Sequence, residues 1–340
     1  MNKNNIILIV FVIAALFFAV GETECAYPPG FLRVVDVIPD VVLDIRYAGE
    51  NNFIGSKIDG YEAPEAILSV EAAVALKHVA DSLREQGYTL KIFDAYRPAS
   101  AVKHFVRWGK DLQDTKNKKL FYPNINKNLL FREGYISSKS SHSAGWTVDL
   151  TLVHTHNGEE VDMGSPFDFF GTISNTASKL VTPQQAGNRR ILSEAMKKCG
   201  FSPVTTEWWH FRLIKEPYRN AKFDFPVTYP AISDEKTAAA LNRISEGAER
   251  VITAVPGKNK GSSVVRAYKK TDNVWTLLFT TDGFYNSDPA APGKGSSVSL
   301  FCSTGNLTAG SVSVPEAAMF FLLTFIDEKT KIVIEEYEER

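Results

Sequence analysis

The feature that most constrains the fold is a proline-bounded break, Pro226-Val-Thr-Tyr-Pro230, about two-thirds of the way along the 340-residue chain. A chain of this length holds either one large domain or two domains of ordinary size. Composition shifts at the break, and short strand-like segments separated by turn residues dominate after it. We therefore predict two domains, residues 27–229 and residues 230–340, preceded by an N-terminal segment of residues 1–25.

The N-terminal segment has the pattern of a secretory signal peptide. Lys3 precedes an unbroken apolar run, Ile6 to Val20, which is short for a membrane-spanning helix but typical of a signal peptide core. Small residues at Ala19 and Gly21 suit a signal peptidase, and cleavage nearer Cys25 is also compatible. We expect an exported protein, periplasmic or secreted, that contacts a membrane only if this segment is not cleaved.

Composition places the chain among globular proteins, with 44% hydrophobic and 23% charged residues. A net charge of -1 gives no electrostatic reason to expect a nucleic acid partner or an anionic membrane surface. Cys199 and Cys302 lie in different predicted domains, and we expect two free buried thiols, with a disulfide as the alternative. Any function must therefore be inferred from a site.

Helical and strand-like segments alternate in the first domain, but the connections between them are long and varied. This arrangement favours an α+β fold over a doubly wound α/β fold. The predicted elements are a helix at Pro64–Gln86, a strand at Thr89–Phe93, a helix from Pro98, a strand at Val148–Val153, a helix at Asn188–Cys199 and a strand at Trp208–Ile214.

The second predicted domain is smaller and rich in strands. Ser233-Asp234 is expected to cap a helix that continues to about Ile252. The strands expected after it are Ser263–Tyr268, Val274–Thr280, Val298–Cys302 and Lys331–Glu335.

Two short segments carry residues suited to binding a metal. In the first, a glycine-containing turn separates His142 from Asp149, and the second is Glu207-Trp-Trp-His210. Two imidazoles and one carboxylate are a usual ligand set of catalytic zinc. The spacing alone leaves a metal site and ordinary structural roles equally favoured, because no His-Glu-x-x-His helix is present.

The pattern Ser140-x-His142-x-x-Gly145-x-Thr147-x-Asp149 followed by Glu207-x-x-His210 resembles that of zinc D,D-peptidases related to the Hedgehog fold. Within them the chain most resembles D-alanyl-D-alanine dipeptidases of the vancomycin-resistance type. The resemblance extends from about Val35 to Val227. It includes Tyr47-Ala-x-x-x-Asn-Phe-x-Gly55, Tyr96-Arg97-Pro98, Tyr122-Pro-Asn-Ile125, Ser138-Lys-Ser-Ser-His142, Met163-Gly-Ser-Pro-Phe-Asp168 and Asp224-Phe-Pro-Val227.

The resemblance implies a domain with a mixed, largely antiparallel sheet and one Zn²⁺ held by His142, Asp149 and His210. It also implies that Glu207 is the general base and acid. Arg97 would stabilise the oxyanion of the tetrahedral intermediate. Pairing with the nearby Asp94 is the structural alternative for Arg97.

Substrate recognition is also implied by the resemblance. Asp168 would receive the free ammonium of the dipeptide, while Tyr47, Ser140 and Ser141 are weaker candidates for contacts with its two ends. A helix N-cap is the alternative role for Asp168. The implied reaction is hydrolysis of D-alanyl-D-alanine to two D-alanines, in cell-wall peptide turnover or in glycopeptide resistance.

Two substitutions depart from the family pattern. Thr147 replaces the usual alanine and is expected to be harmless to metal binding. Trp146 replaces a small residue and is expected to narrow the entrance above the metal.

Other functions share parts of this pattern. A D,D-carboxypeptidase or a peptidoglycan endopeptidase would use the same zinc ligands, and a zinc-bearing wall-binding module would have lost catalysis. The second domain is interpreted as a noncatalytic accessory domain that contacts peptidoglycan, or as a structural appendage. Asn306-Leu-Thr308 is a glycosylation sequon, relevant only in a glycosylating host.

Overall fold

A computed structural model describes residues 27–216, 218, 220–230, 232–245, 247–257, 259, 261–285, 300–302, 312–327 and 330–334. The predicted signal segment and the sequon at Asn306 lie outside the described residues. The chain divides into two compact units: Leu32–Tyr229, and Met1–Phe31 together with Pro230–Arg340. The division after Tyr229 falls within the proline-bounded break.

The first unit is built around a five-stranded sheet with the strand order β2-β4-β5-β7-β6. Every neighbouring pair is antiparallel except β2 and β4, so the predicted mixed, largely antiparallel sheet is confirmed. Its strands are β2 (Val42–Leu43), β4 (Tyr88–Asp94), β5 (Thr147–His154), β6 (Phe201–Pro203) and β7 (His210–Leu213). A separate two-stranded sheet contains β1 (Phe31–Arg33) and β3 (Ile67–Ser69).

The helices of this unit are α1 (Val70–Arg84), α2 (Ala99–Lys110), α3 (Lys118–Phe121) and α4 (Pro183–Lys198). Short 3₁₀ helices occupy Val34–Asp36, Arg46–Ala48, Lys127–Leu129, Ser141–Ala144 and Thr172–Ser174.

Two predicted helix starts are wrong. The helix expected from Pro64 begins at Val70, because residues 67–69 form β3 and the Ser69 hydroxyl accepts the Ala72 N–H as an N-cap. The helix expected from Asn188 begins at Pro183, because Thr182 and Gln185 form a capping box ahead of it. The capping box of Thr182 and Gln185 is visible in the sequence, and the prediction overlooked it.

The core of the first unit surrounds strands β4 and β5. Leu90, Ile92, Val148 and Leu150 are fully buried, and α1 packs on β4. Burying each such side chain contributes about 1.5–3 kcal/mol relative to exposure. This packing makes the sheet a firm support for the residues at the strand ends.

The second unit contains a six-stranded sheet with the strand order β11-β12-β10-β9-β8-β13 and two helices. The β-rich architecture predicted for this region is confirmed. Its strands are β8 (Arg250–Pro256), β9 (Ser262–Thr271), β10 (Val274–Tyr285), β11 (Leu300–Cys302), β12 (Val312–Val314) and β13 (Thr330–Ile334). The helices are α5 (Glu235–Ile244) and α6 (Glu316–Phe325).

The helix predicted to reach Ile252 is therefore too long. Asp234 does cap α5, accepting hydrogen bonds from the N–H groups of Lys236 and Thr237. The helix ends at Ile244, and the β-branched stretch that follows becomes β8, which pairs with both β9 and β13. Helix α6 was not predicted. A cluster that includes Leu241, Trp275 and Leu277 forms a core in this unit.

Two further sequence expectations concern cysteines and membranes. Cys199 is a free, half-buried thiol, and the side chain of Cys302 lies outside the described part of the chain. Among the described residues, no helix has both the length and the apolar character needed to cross a bilayer.

Candidate metal centre

Sheet register aligns three functional side chains in a row across neighbouring strands. Asp94 on β4 is opposite Asp149 on β5, and Asp149 is opposite His210 on β7. Directly opposed residues of antiparallel strands have Cα atoms only about 4.5–5.5 Å apart and project to the same face. The sheet therefore assembles a carboxylate pair and an imidazole that are far apart in sequence.

His142 reaches this row from the 3₁₀ helix at Ser141–Ala144. The Ser140 hydroxyl caps that helix by accepting the His142 N–H at 3.3 Å. Gly145 ends it with φ of 80°, a left-handed conformation that glycine adopts without the steric cost of a side chain. The chain then enters β5, which places Asp149 next to His142. This convergence is the one expected from the glycine-containing turn between them.

In the part of the chain that the structure describes, His142, Asp149 and His210 form the one group of three potential metal ligands, with ligand atoms within 4.8 Å of one another. His142 Nε2 is 3.3 Å from Asp149 Oδ2, and His210 Nδ1 is 3.0 Å from Asp149 Oδ1. The two imidazole nitrogens are 3.3 Å apart.

The hydrogen bonds around this group suit a cation. His142 Nδ1 is 2.6 Å from the carbonyl oxygen of Ala95, which only accepts, so Nδ1 carries the proton and Nε2 offers a lone pair. Asp149 Oδ1 is buried, and its neighbour at 3.0 Å, His210 Nδ1, does not meet hydrogen-bond geometry with it. Lone pairs that converge in a buried site repel one another unless a cation neutralises them, and two imidazoles with one carboxylate fit zinc.

The electrostatics favour ionised Asp149. Burial opposes its ionisation, but the imidazoles of His142 and His210 outweigh burial and hold the pKa of Asp149 well below its usual value. Asp149 therefore has the deprotonated form that a metal ligand requires.

Glu207 lies in the turn before β7, beside the three potential ligands. Its Oε2 is 3.6 Å from His210 Nδ1, and its side chain is 32% exposed. Burial raises the pKa of Glu207 above the usual value of a glutamate, against the lowering effect of nearby His210. A carboxylate with a raised pKa next to a metal site is suited to accepting and returning a proton.

Arg97 faces the same space and is held by Asp94. The Arg97 Nε donates to Asp94 Oδ2 at 2.8 Å, and an Nη atom of Arg97 is 2.7 Å from the same oxygen. Asp94 is fully buried and also accepts a hydrogen bond from the Tyr61 hydroxyl at 2.5 Å. The pairing with Asp94, which was the structural alternative for Arg97, is present, and Arg97 nevertheless lines the cavity.

Asp168 and Tyr47 form a second polar group in the cavity. The Tyr47 hydroxyl donates to Asp168 Oδ2 at 2.8 Å, and both residues are buried. Burial, with a smaller contribution from the charge of Asp149, raises the pKa of Asp168 well above its usual value. The N-cap alternative for Asp168 is wrong, because the next helical turn begins at Thr172 and its N-cap is Gly171.

Asp168 also has a strained backbone, with φ of 59°. A non-glycine residue in this region costs about 1–3 kcal/mol and persists only where its surroundings impose it. Such residues concentrate at functional sites.

One cavity of about 180 Å³ collects every predicted site residue. These are Tyr47, Arg97, Ser140, Ser141, His142, Asp149, Asp168, Glu207 and His210. The lining also includes residues that the sequence interpretation missed, among them Tyr135, Lys139, Phe170 and Trp209.

Trp146 does not belong to this lining. It is 6% exposed and packed in the interior, and its indole nitrogen makes no hydrogen bond among the described residues. The expectation that Trp146 narrows the entrance is wrong, because its side chain is buried in the core and does not border the cavity.

Comparisons with known proteins agree with this geometry. The model of a family described as D-ala-D-ala dipeptidase matches residues 28–228. A D-alanyl-D-alanine dipeptidase of Enterococcus faecalis is 42% identical over 199 residues, covering 58% of this chain and 98% of that protein. A D-alanyl-D-alanine dipeptidase of Enterococcus faecium is 40% identical, with the same coverage of both chains. One from Streptomyces coelicolor is 37% identical, again covering 58% and 98%.

Proposed function

Because this chain belongs to the D-ala-D-ala dipeptidase family, we propose that it is a zinc metallopeptidase that hydrolyses D-alanyl-D-alanine to two molecules of D-alanine. The observation that carries the proposal is the shared cavity, in which a two-histidine, one-carboxylate metal site faces Glu207, Arg97 and Asp168. A metal site, a base and a binding group for one substrate end are the parts that dipeptide hydrolysis needs.

Each role in the proposed reaction is assigned to residues that line the cavity. His142, Asp149 and His210 would hold the zinc, which when bound would supply Lewis acidity for the scissile carbonyl and for the attacking water. Glu207 takes the proton of the attacking water and delivers it to the departing amine. Arg97, held by Asp94, directs fixed donors at the negative charge that develops on the carbonyl oxygen.

Asp168 supports a dipeptidase over the other zinc D,D-peptidases. Its carboxylate is buried next to the Tyr47 hydroxyl, and burial raises its pKa. A free ammonium suits this site, because an ion pair with it favours the ionised carboxylate. An acylated amine would leave this carboxylate buried and unpaired. The cavity volume of about 180 Å³ is also below the ~300–1,000 Å³ of typical ligand sites, which suits a small substrate.

The test compares D-Ala-D-Ala with its N-acetylated form on the zinc-loaded, mature chain. We expect rapid hydrolysis of the free dipeptide and little of the blocked one. Preference for the blocked substrate would reject the dipeptidase in favour of a carboxypeptidase or endopeptidase. A panel that includes L-Ala-L-Ala tests stereochemistry, and comparable hydrolysis of that dipeptide would contradict the D,D assignment.

A noncatalytic zinc-bearing wall-binding module is disfavoured by Glu207 and Arg97. A structural zinc site needs neither a nearby carboxylate outside the ligand set nor a guanidinium aimed into the cavity. Absence of turnover on every dipeptide of the panel, with zinc bound, would restore this alternative.

We also propose that the protein is exported and acts in cell-wall peptide turnover, since an exported enzyme does not meet cytoplasmic precursors. The support is the basic and apolar N-terminal pattern of residues 1–25. N-terminal sequencing of the protein isolated from cell fractions tests it, and an intact cytoplasmic Met1 would contradict it.

Peptidoglycan binding through residues 230–340 is a separate proposal, supported by the wall-derived substrate of the other unit. Cosedimentation of the full chain with insoluble peptidoglycan tests it, using the Glu207→Ala variant to prevent turnover. Pelleting that persists when D-Ala-D-Ala saturates the cavity supports binding outside it. No pelleting contradicts the proposal.

A further inference from the structure

The proposed substrate has two charged ends, but the preceding assignments give a charged partner to only one. At the other end, Ser140 and Ser141 are candidates that offer only neutral hydroxyls. Asp168 with Tyr47 suits the ammonium, and the metal, Glu207 and Arg97 act at the scissile bond. The free carboxylate of the second residue still requires a counter-charge, since a carboxylate that loses water without a partner is strongly destabilised. Any assignment for this second end rests on the proposed function.

Among the described residues that line the cavity, Arg97 and Lys139 are the arginine and lysine side chains. Arg97 is already committed: two of its nitrogens lie within 2.8 Å of Asp94 Oδ2, and one of them is also 3.6 Å from Asp149 Oδ2. Its remaining donors are assigned to the oxyanion of the scissile carbonyl. Arg97 is therefore not the group that receives the substrate carboxylate.

Lys139 has no such commitment. Within the described parts of the chain, its ammonium takes part in no ion pair or hydrogen bond, and its backbone N–H donates to the Ser137 hydroxyl at 3.2 Å. The side chain is exposed at the rim. A solvated lysine at the edge of a binding cavity keeps its charge and reaches a ligand at small cost.

Lys139 lies where the catalytic cavity meets a second cavity. The second cavity, of about 410 Å³, shares Val102, Lys139 and Ser140 with the catalytic cavity but does not include Tyr47 or Asp168. The two cavities therefore meet at Lys139, on a side that is separate from the ammonium-binding group. The ammonium of the substrate would face Asp168, and its carboxylate would face Lys139.

The surroundings of Lys139 reinforce its charge. The second cavity is also lined by Lys103, Arg107 and Lys222, and no aspartate or glutamate belongs to its described lining. Lys103 is 3.5 Å from Asp224 and Arg107 is 2.5 Å from Asp59, so those two are partly neutralised. Lys139 is the cation of this group that also borders the catalytic cavity.

We propose that Lys139 binds the free C-terminal carboxylate of the dipeptide and makes the enzyme select substrates by both of their charged ends. Lys139 is a specificity-determining residue in this scheme, and it takes no part in proton transfer. Its contribution should therefore appear in KM and should depend on the charge of the substrate's C-terminus.

The experiment compares the Lys139→Gln and Lys139→Arg variants on D-Ala-D-Ala and on D-Ala-D-alaninamide, which lacks the negative charge. Lys139→Gln should raise KM for D-Ala-D-Ala about tenfold and leave kcat within about twofold, because a hydrogen bond between charged groups contributes roughly one decade of affinity. With the amide, KM should change less than about twofold. Lys139→Arg should retain most of the affinity because it keeps the charge.

Lys103→Gln is the matched control, because Lys103 is an exposed cation that lines the second cavity alone. It should leave both KM values nearly unchanged. An unchanged KM for D-Ala-D-Ala in Lys139→Gln would overturn the proposal. Equal losses on the dipeptide and the amide would also overturn it, because they indicate disturbance of the loop and not loss of a charge partner.

Binding provides a readout that does not need turnover. Calorimetric titration of the zinc-loaded Glu207→Ala variant should show D-Ala-D-Ala binding about tenfold more tightly than the amide, and adding Lys139→Gln should abolish the difference. A wild-type enzyme that hydrolyses neither compound would refute the proposed function, while this titration still decides the role of Lys139. Equal affinity for the dipeptide and the amide in the presence of Lys139 would refute the inference.

Discussion

The two units of this chain both centre on a sheet, but within the described residues only the first sheet has buried carboxylates near its strand ends. In the first unit, Asp94, Asp149 and His210 occupy facing positions on three neighbouring strands. In the described part of the second unit, the buried polar side chains are hydroxyls, including Ser263 and Thr280, and no potential metal ligands cluster. The comparison indicates that chemistry here depends on which residues the register brings opposite each other.

The cost of the two arrangements also differs. Buried carboxylates are expensive unless partners compensate them, and the first unit supplies such partners in Arg97, Tyr61 and the two ligand histidines. The hydroxyls of the second unit cost less to bury. The sheet of the second unit is consistent with packing and surface roles. Among the described residues, the buried charged side chains belong to the first unit.

The largest effect on activity is expected from removing a metal ligand of the first unit. His210→Ala should lose zinc and reduce hydrolysis to background, because two remaining ligands do not hold the metal firmly. Metal content after dialysis and kcat/KM measure the effect. Full zinc occupancy of the variant would contradict the ligand assignment.

The next largest effect is expected from the base. Glu207→Ala should retain zinc and reduce kcat about 10²–10⁴-fold, the usual contribution of general acid–base catalysis. Zinc analysis alongside single-turnover kinetics checks this outcome. Normal turnover with zinc bound would remove Glu207 from the mechanism.

A smaller effect is expected at the ammonium end. Asp168→Asn keeps the shape and removes the charge, so KM for D-Ala-D-Ala should rise about 10–100-fold, the range of a buried charge-assisted bond. Steady-state kinetics measure it, with N-acetyl-D-Ala-D-Ala as the control substrate. A KM increase of equal size on both substrates would contradict recognition of the ammonium.

The smallest effect on activity should come from the second unit. Leu277→Ala removes a side chain that is 1% exposed in the core cluster and should destabilise that unit by about 2–5 kcal/mol. Zinc content and kcat/KM should change less than about twofold, since no site residue belongs to this unit. Calorimetric unfolding and kinetics at a temperature where both units are folded measure the two quantities, and a large loss of activity would show that the contrast between the sheets is too simple.

Much of the fold was predictable wherever local pattern decides the structure. The runs at residues 89–93 and 148–153 became β4 and β5, because β-branched and apolar residues favour buried strands. The capping aspartate before α5 was also legible. Predictions were wrong where two local tendencies compete, as at the end of α5, because pairing of β8 with two other strands settled the competition.

The site divides in the same way. The residue types at His142, Asp149 and His210 were enough to nominate a metal site. Spacing alone left structural roles equally favoured, and the family resemblance selected the ligand set. Asp94 is different: its place beside Asp149 follows from strand register over more than fifty residues of intervening chain. Tyr135 and Lys139 lie in a loop that precedes the 3₁₀ helix at Ser141–Ala144. They were not predicted as cavity residues, because a loop without a periodic pattern does not reveal which cavity it borders.

By itself, the sequence determined the family resemblance and most of the elements, because these depend on residue type and short-range spacing, and through the resemblance it nominated the ligand set. Tertiary structure alone decided that Trp146 is buried away from the cavity, that Asp94 lies opposite Asp149 and that Lys139 stands at the rim. Those facts follow from packing and sheet register, which join distant parts of the chain and leave no periodic trace in it.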